Sequence, residues 1–169
     1  MADTSLVRRL WRHWNSSAAH GRKLFPPASL AALGAAIHAG EQTHRGELRL
    51  VVEAALPSEL VWDGVSNRQR ALALFAELGV WDTEDNCGVL LYVNLAERKV
   101  DIVADRAIHR KLGDAAWRTV CDAMTSAYAR GQFHEGTLAA VQQVNALLQQ
   151  HFPSAGARPN ELPDHPILL

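Results

Sequence analysis

Cysteine is scarce in this chain. Cys87 and Cys121 are the two in 169 residues, far apart and in no C-x-x-C pair. They support neither a disulfide framework nor a zinc knuckle, and two buried thiols in a reducing compartment is the expectation. No apolar run approaches the roughly 18 residues that read as a membrane span. The first residues hold no continuous apolar stretch of the secretory kind. Neither sign of charge prevails, with 17 Lys and Arg against 18 Asp and Glu, so global charge gives no ground for nucleic-acid binding. The motifs G-x-S-x-G, the P-loop and G-x-G-x-x-G are all absent, which removes the common nucleophile and nucleotide readings. A soluble cytoplasmic protein is the expectation.

What is present is enough apolar material for one domain, 48% of the chain. Three segments differ in composition: a basic amphipathic stretch over residues 1–24, a domain over 25–152, and a tail over 153–169 with four Pro and one Gly. In the first, helical spacing puts Leu6, Val7, Leu10, Trp11 and Trp14 on one face and Arg8, Arg9, Arg12 and His13 on the other. Two readings follow. The plainer one docks the Trp side on the domain. The other lays Leu6, Leu10, Trp11 and Trp14 on a membrane surface, since a basic polar face with Trp opposite suits an anionic interface. The tail should be extended, laid on the surface through Ile167, Leu168 and Leu169.

Within the domain, Pro26 and Pro27 start a helix over about 28–44, ended by Gly46. Residues 47–55 read as a strand stopped by Pro57. Ser66 and Gln69 have capping-box spacing, followed by a helix over about 67–78. Residues 88–94 form an apolar strand, and Lys99 to Ala104 alternate as a more peripheral one, giving a hairpin folded near Ala96 with Cys87 roughly opposite Asp105. Asp114 caps a third helix with Trp117, Val120, Cys121, Met124 and Tyr128 inward, and residues 135–151 form a fourth. The strand–helix–strand order makes the first two strands parallel. The fold class expected is α/β: an α/β/α sandwich with a small mixed sheet, a βαβ unit plus an antiparallel hairpin strand, covered by about four helices.

This topology gathers Glu47, Arg49, the loop Asp82-Thr83-Glu84-Asp85-Asn86, and Asp105 with Arg106 at one edge, with Glu41 and His44 arriving there too. The loop has the oxygen chemistry that Ca²⁺ or Mg²⁺ takes, without EF-hand spacing; the plain alternative is a solvated loop whose Asp and Asn side chains hold turns. Glu41-x-x-His44 lacks the second such motif a di-iron bundle needs. A structural charge network of Glu41, His44, Glu47, Arg49 and Arg106, holding the strand edge in register, is expected there.

At these residues the chain resembles the TPM domain family, named for a thylakoid lumen protein, a photosystem II repair protein and a worm receptor modulator, and within it the short cytoplasmic bacterial branch. The stretches that carry the likeness are 41–49, 80–92, 100–108 and 129–136, in the family's order. The resemblance implies an α/β/α sandwich. It also implies Asp82, Glu84, Asp85 and Asn86 as ion ligands, with Asp105 nearby, and an acid phosphatase as one activity within the family. No catalytic set is legible in the residues. The reading is a non-catalytic, cytoplasmic TPM-type binding domain that acts through an unidentified protein partner, at a membrane surface through the Leu6–Trp14 helix, with a Ca²⁺ or Mg²⁺ site in the loop. The alternative is a divalent-cation-dependent phosphatase using that loop, with Arg49 or Arg106 on the phosphate.

Overall fold

The computed structural model describes residues 4–156 and 159–169. In chain order its elements are α1 (Thr4–Asn15), α2 (Ala18–Leu24), α3 (Pro27–Glu41), β1 (Glu47–Glu53), α4 (Ser58–Trp62), α5 (Asn67–Glu77), β2 (Gly88–Asn94), β3 (Lys99–Ala104), α6 (Arg106–Ala129), α7 (Phe133–His151) and β4 (Ile167–Leu168). The sheet runs β3-β2-β1-β4, with β1 parallel to β2 and β4, and β3 antiparallel to β2. This is the mixed α/β sandwich expected.

Alternation along the strands sorts side chains into two layers. Leu48, Leu50, Val52, Val89, Leu91, Val93 and Ile102 pack with residues of α3, α6 and α7, among them Leu33, Ile37, Met124, Val144 and Leu148. Val51, Leu90, Tyr92 and Val103 pack against Ala71 and Leu74 of α5 on the other side. Every residue of β1 and β2 is buried, as expected of central strands covered on both faces. The half-exposed pattern of β3 places it at an edge. The capping box forms in full: Ser66 accepts from the Gln69 N–H while the Gln69 side chain accepts from the Ser66 N–H.

Several elements differ from the sequence expectation. The hairpin register is shifted by one, so that Gly88 rather than Cys87 meets Asp105, whose N–H donates to the Gly88 carbonyl at 2.8 Å. Helix α6 holds two helical segments. Gly113, at φ 67° and ψ 176°, breaks the helix just before Asp114, where the third helix was expected to start. An earlier segment from Arg106 precedes it, capped by Asp105, which accepts from the Arg106 N–H at 2.6 Å. Short α2 and α4 carry too few residues for a periodic signal. The tail is extended, as expected, but it also closes the sheet: β4 pairs with Val51 and Val52, and the Leu169 carbonyl accepts from the Ala54 N–H at 2.9 Å.

The α5 face of β1 is not apolar throughout. Glu53 ends the strand on this face, and its carboxylate accepts from Tyr92 Oη at 2.6 Å and from Arg70 Nη2 and Nε at 2.9 and 3.1 Å. The three groups tie β1, β2 and α5 together in a place closed to water, where a fully satisfied carboxylate holds but an unpaired one is costly. Arg70→Met should therefore destabilise the protein by about 3 kcal/mol in urea unfolding. Adding Glu53→Gln to it should recover part of that loss. A cost below about 0.5 kcal/mol, typical of an exposed pair, would show that the triad does not secure the sheet.

Candidate functional site

Backbone pairing brings the three rim segments together. The Glu47 N–H donates to the Cys87 carbonyl at 3.0 Å, and Asp105 bonds Gly88, so the starts of β1 and β2 and the end of β3 share one end of the sheet. Gly88 is required there, because a Cβ would lie 1.8 Å from the Val80 carbonyl oxygen. The loop between is shaped by Thr83, whose Oγ1 accepts from the Cys87 N–H at 3.0 Å, and by Asn86 in the left-handed region at φ 52°.

The loop's acidic groups sit in separate roles. Asp82 and Glu84 are exposed, and the Glu84 N–H donates to Glu161 Oε2 at 2.8 Å. Asp85 faces the guanidinium of Arg45 at 3.7 Å, an ion pair open to solvent. Asp105 is buried as the cap of α6, at the positive end of the helix dipole. The Cys87 thiol donates to the Asp85 carbonyl at 3.3 Å. Among the described residues no three His, Cys, Asp or Glu side chains stand together so as to hold a metal ion. A hard cation takes six or more oxygens, and at Asp85 the positive charge is already supplied by Arg45.

The residues expected to form one charge network also meet at this end, but they bind backbone and an amide rather than one another. Glu41 Oε1 accepts from the Leu48 N–H at 2.7 Å, on the open side of β1. His44 joins Nδ1 to the Gly46 carbonyl and Nε2 to Asn145 Oδ1, both at 3.1 Å. Gly40 lets Asn145 come this close, since a Cβ would meet its amide at 2.1 Å. Glu47 Oε2 accepts from the Leu162 N–H at 3.2 Å. Arg49 donates to the carbonyls of Pro163 and, at 2.9 Å, His165. Arg106 is exposed and contributes its backbone N–H alone to Asp105. The network is thus a fastening for the C-terminal segment, with a polar cleft of about 430 Å³ between Glu41, His44, Glu47, Ser154 and Asn160.

Burial sets the protonation of this end. It pushes the Glu41 carboxyl up to about 9, against the pull of the Leu48 N–H and with the help of Glu47 and Asp164. Burial likewise raises Glu47 and lowers His44 and Arg49. At Asp164 burial works upward too, but hydrogen bonds from Asn160, Glu41 and His38 outweigh it and leave the group below its ordinary value. Glu41 Oε2 is buried beside an acceptor, the Asp164 carboxylate, and no donor reaches it. A proton on Glu41 satisfies both groups.

A second place was not legible in the sequence. Glu97, in the turn between β2 and β3, is 4% exposed at its side chain and accepts from Arg9 Nε at 2.5 Å and His13 Nε2 at 3.1 Å. The Leu56 N–H donates to His13 Nδ1 at 3.0 Å, so the ring hydrogen sits on Nε2, facing Glu97. Burial alone would raise Glu97, but Arg9, His13 and Lys99 hold it down at about 2. Helix α1 therefore docks through Arg9 and His13, with Leu6 and Leu10 half-buried beside them. Val7, Trp11 and Trp14 face outward. The expectation that the Trp side docks on the domain is overturned: a buried carboxylate draws Arg9 and His13 inward beside Leu6 and Leu10 and leaves Trp11 and Trp14 outside.

Comparison with known proteins agrees with this architecture. The family model described as TPM domain matches residues 20–147, and the chain belongs to the TPM domain family. It is similar in structure to the BA42 protein of the psychrophilic bacterium Bizionia argentinensis, at 24% identity and TM-score 0.73 over 83% of this chain and 92% of that one. It is also similar to the N-terminal domain of a protein from P. gingivalis, at 23% identity and TM-score 0.56 over 76% of this chain and 81% of that one. At these identities the likeness is one of fold. No curated protein matches the chain.

The raised Glu41 carboxyl has a signed consequence. The folded state keeps this proton until about pH 9 while the unfolded chain loses it near its ordinary 4.5. Folding stability falls as pH rises between those values. Glu41→Gln supplies an N–H to Asp164 without a proton to lose. Wild type minus Glu41→Gln should fall by about 1 kcal/mol per pH unit between pH 5 and 8 in parallel urea titrations. A flat difference would contradict the shared proton.

Proposed function

We propose that this member of the TPM domain family is a non-catalytic cytoplasmic binding domain that works through contact with a protein partner at a membrane surface. The observation that carries the reading is the employment of the rim: Asp85 faces Arg45, Asp105 caps α6, and Glu41 and Glu47 hold β1 and the C-terminal segment. General acid–base or metal-assisted hydrolysis needs groups placed around a common point and available to a substrate. Contact, by contrast, needs exposed side chains of the right kind. Trp81, at the mouth of the acidic loop, is exposed beside exposed Asp82 and Glu84. An aromatic ring next to carboxylates suits a protein partner with a basic, partly apolar surface.

The competing reading is a divalent-cation-dependent acid phosphatase centred on Asp82, Asp85 and Asp105. A purified sample assayed on a generic phosphomonoester with Ca²⁺, Mg²⁺ and Mn²⁺ separates the two. The binding-domain reading expects background rates, identical in Asp85→Ala. Turnover that needs a metal and disappears in Asp85→Ala would replace it with the enzyme.

A further inference from the structure

Helix α1 divides its apolar side chains between two directions. Leu6 and Leu10 lean on the domain with Arg9 and His13, while Val7, Trp11 and Trp14 recur at i, i+4 and i+7 on the outer surface. They are 53%, 68% and 89% exposed. Helix α4, packed against α1, leaves Trp62 68% exposed as well. An apolar groove of about 660 Å³ opens beside the stripe, between Leu10, Trp11, Trp14, Leu56 and Ser58. Tryptophans this exposed serve no packing purpose in the domain, and a patch of this kind marks an interaction surface.

Charge identifies the occupant. Residues 4–24 contain Arg8, Arg9, Arg12, Arg22 and Lys23 and no acidic side chain, while the rest of the chain carries 12 basic against 18 acidic residues. Arg9 is spent on Glu97, but Arg8, Arg12, Arg22 and Lys23 are exposed. Arg8 stands three residues before Trp11 and four before Arg12, so it borders the tryptophan stripe. Tryptophan rings at the depth of lipid headgroups with guanidinium groups beside them is the arrangement of helices that lie in an anionic bilayer surface. One short helix binds such a surface weakly, and the dock on Glu97 offsets this by presenting the helix already formed.

We infer that the Val7, Trp11 and Trp14 face of α1, flanked by Arg8 and Arg12, docks the protein on an anionic lipid surface. This rests on the binding-domain reading above and names the surface at which that domain works. The orientation differs from the sequence-level membrane reading. Leu6 and Leu10 belong to the domain contact, Val7 joins the lipid face, and α1 stays docked through Arg9 and His13 rather than detaching.

The test is co-sedimentation of the full chain with vesicles of phosphatidylglycerol and phosphatidylcholine in equal parts, against vesicles of phosphatidylcholine alone. Binding should require the anionic lipid and weaken with salt. It should fall by about tenfold or more in Trp11→Ser/Trp14→Ser and in Arg8→Glu/Arg12→Glu. Unchanged thermal melts should show that both variants stay folded; all four positions are exposed. No sedimentation with the anionic vesicles, or equal sedimentation of wild type and Trp11→Ser/Trp14→Ser, overturns the inference. So does a wild type that ignores vesicles but self-associates in solution through the same tryptophans, since the face would then belong to a protein contact. Metal-dependent phosphatase turnover would remove the binding-domain reading and leave the sedimentation result standing by itself.

Discussion

Strand β1 is buried along its whole length and yet carries Glu47, Arg49 and Glu53 on one face. That constraint organises the molecule. A charged group taken out of water must find hydrogen bonds that replace its hydration, or the strand cannot sit where it does. Glu53 finds Arg70 and Tyr92. Glu47 and Arg49 turn to the main chain of the C-terminal segment, one accepting from Leu162, the other donating to the carbonyls of Pro163 and His165. The charges do not cancel each other in pairs; two of the three are satisfied by peptide groups. A segment rich in proline, with nothing of its own to fold around, is thereby held along the edge of β1 until it can pair as β4.

The same economy accounts for the quiet chemistry of the rim. The topology gathers the acidic loop, the cap of α6 and the end of α3 at one end of the sheet, which is where catalysis or ion binding would be sought. The gathered groups are then used for structure: a helix cap, a strand-edge acceptor, a shared proton between Glu41 and Asp164, an ion pair between Arg45 and Asp85. What remains exposed there is Trp81 with Asp82 and Glu84, groups fit for contact. At the opposite end of β1 and β2 the exposed face is of another kind, tryptophans with arginines on a helix that lies outside the stretch matching the family. The domain and its added helix thus present two unlike surfaces.

Much of the fold was legible because periodic patterns report local facts. Burial on both faces of β2 shows as an unbroken apolar run, the edge position of β3 as alternation, and the start of α5 as Ser66 and Gln69. The site was legible in its convergence, since parallel strands and a hairpin place their ends by geometry alone. Its connections were not. Glu47 and Arg49 lie two residues apart and invite the idea of a mutual pair, but their partners are backbone atoms more than a hundred residues away. Helix α1 was read with its docked face misplaced for the same reason: Leu6 and Leu10 do lean on the domain, but Trp11 and Trp14 do not. Its stripe of Leu and Trp suggests burial, and only the distant Glu97, enclosed in a turn, decides that Arg9 and His13 go inward.

The central claim is that Arg49 fastens the C-terminal segment to the sheet through two carbonyl oxygens. Hydrogen exchange on Arg49→Met tests it most directly, since Met keeps the apolar stem and loses the donors. The account predicts that protection falls at the Leu162, Ala54 and Leu169 amides, which bond the segment to β1 and its end. Glu47 and other amides between β1 and β2 should keep theirs. Unchanged protection at Leu162, Ala54 and Leu169 would contradict it.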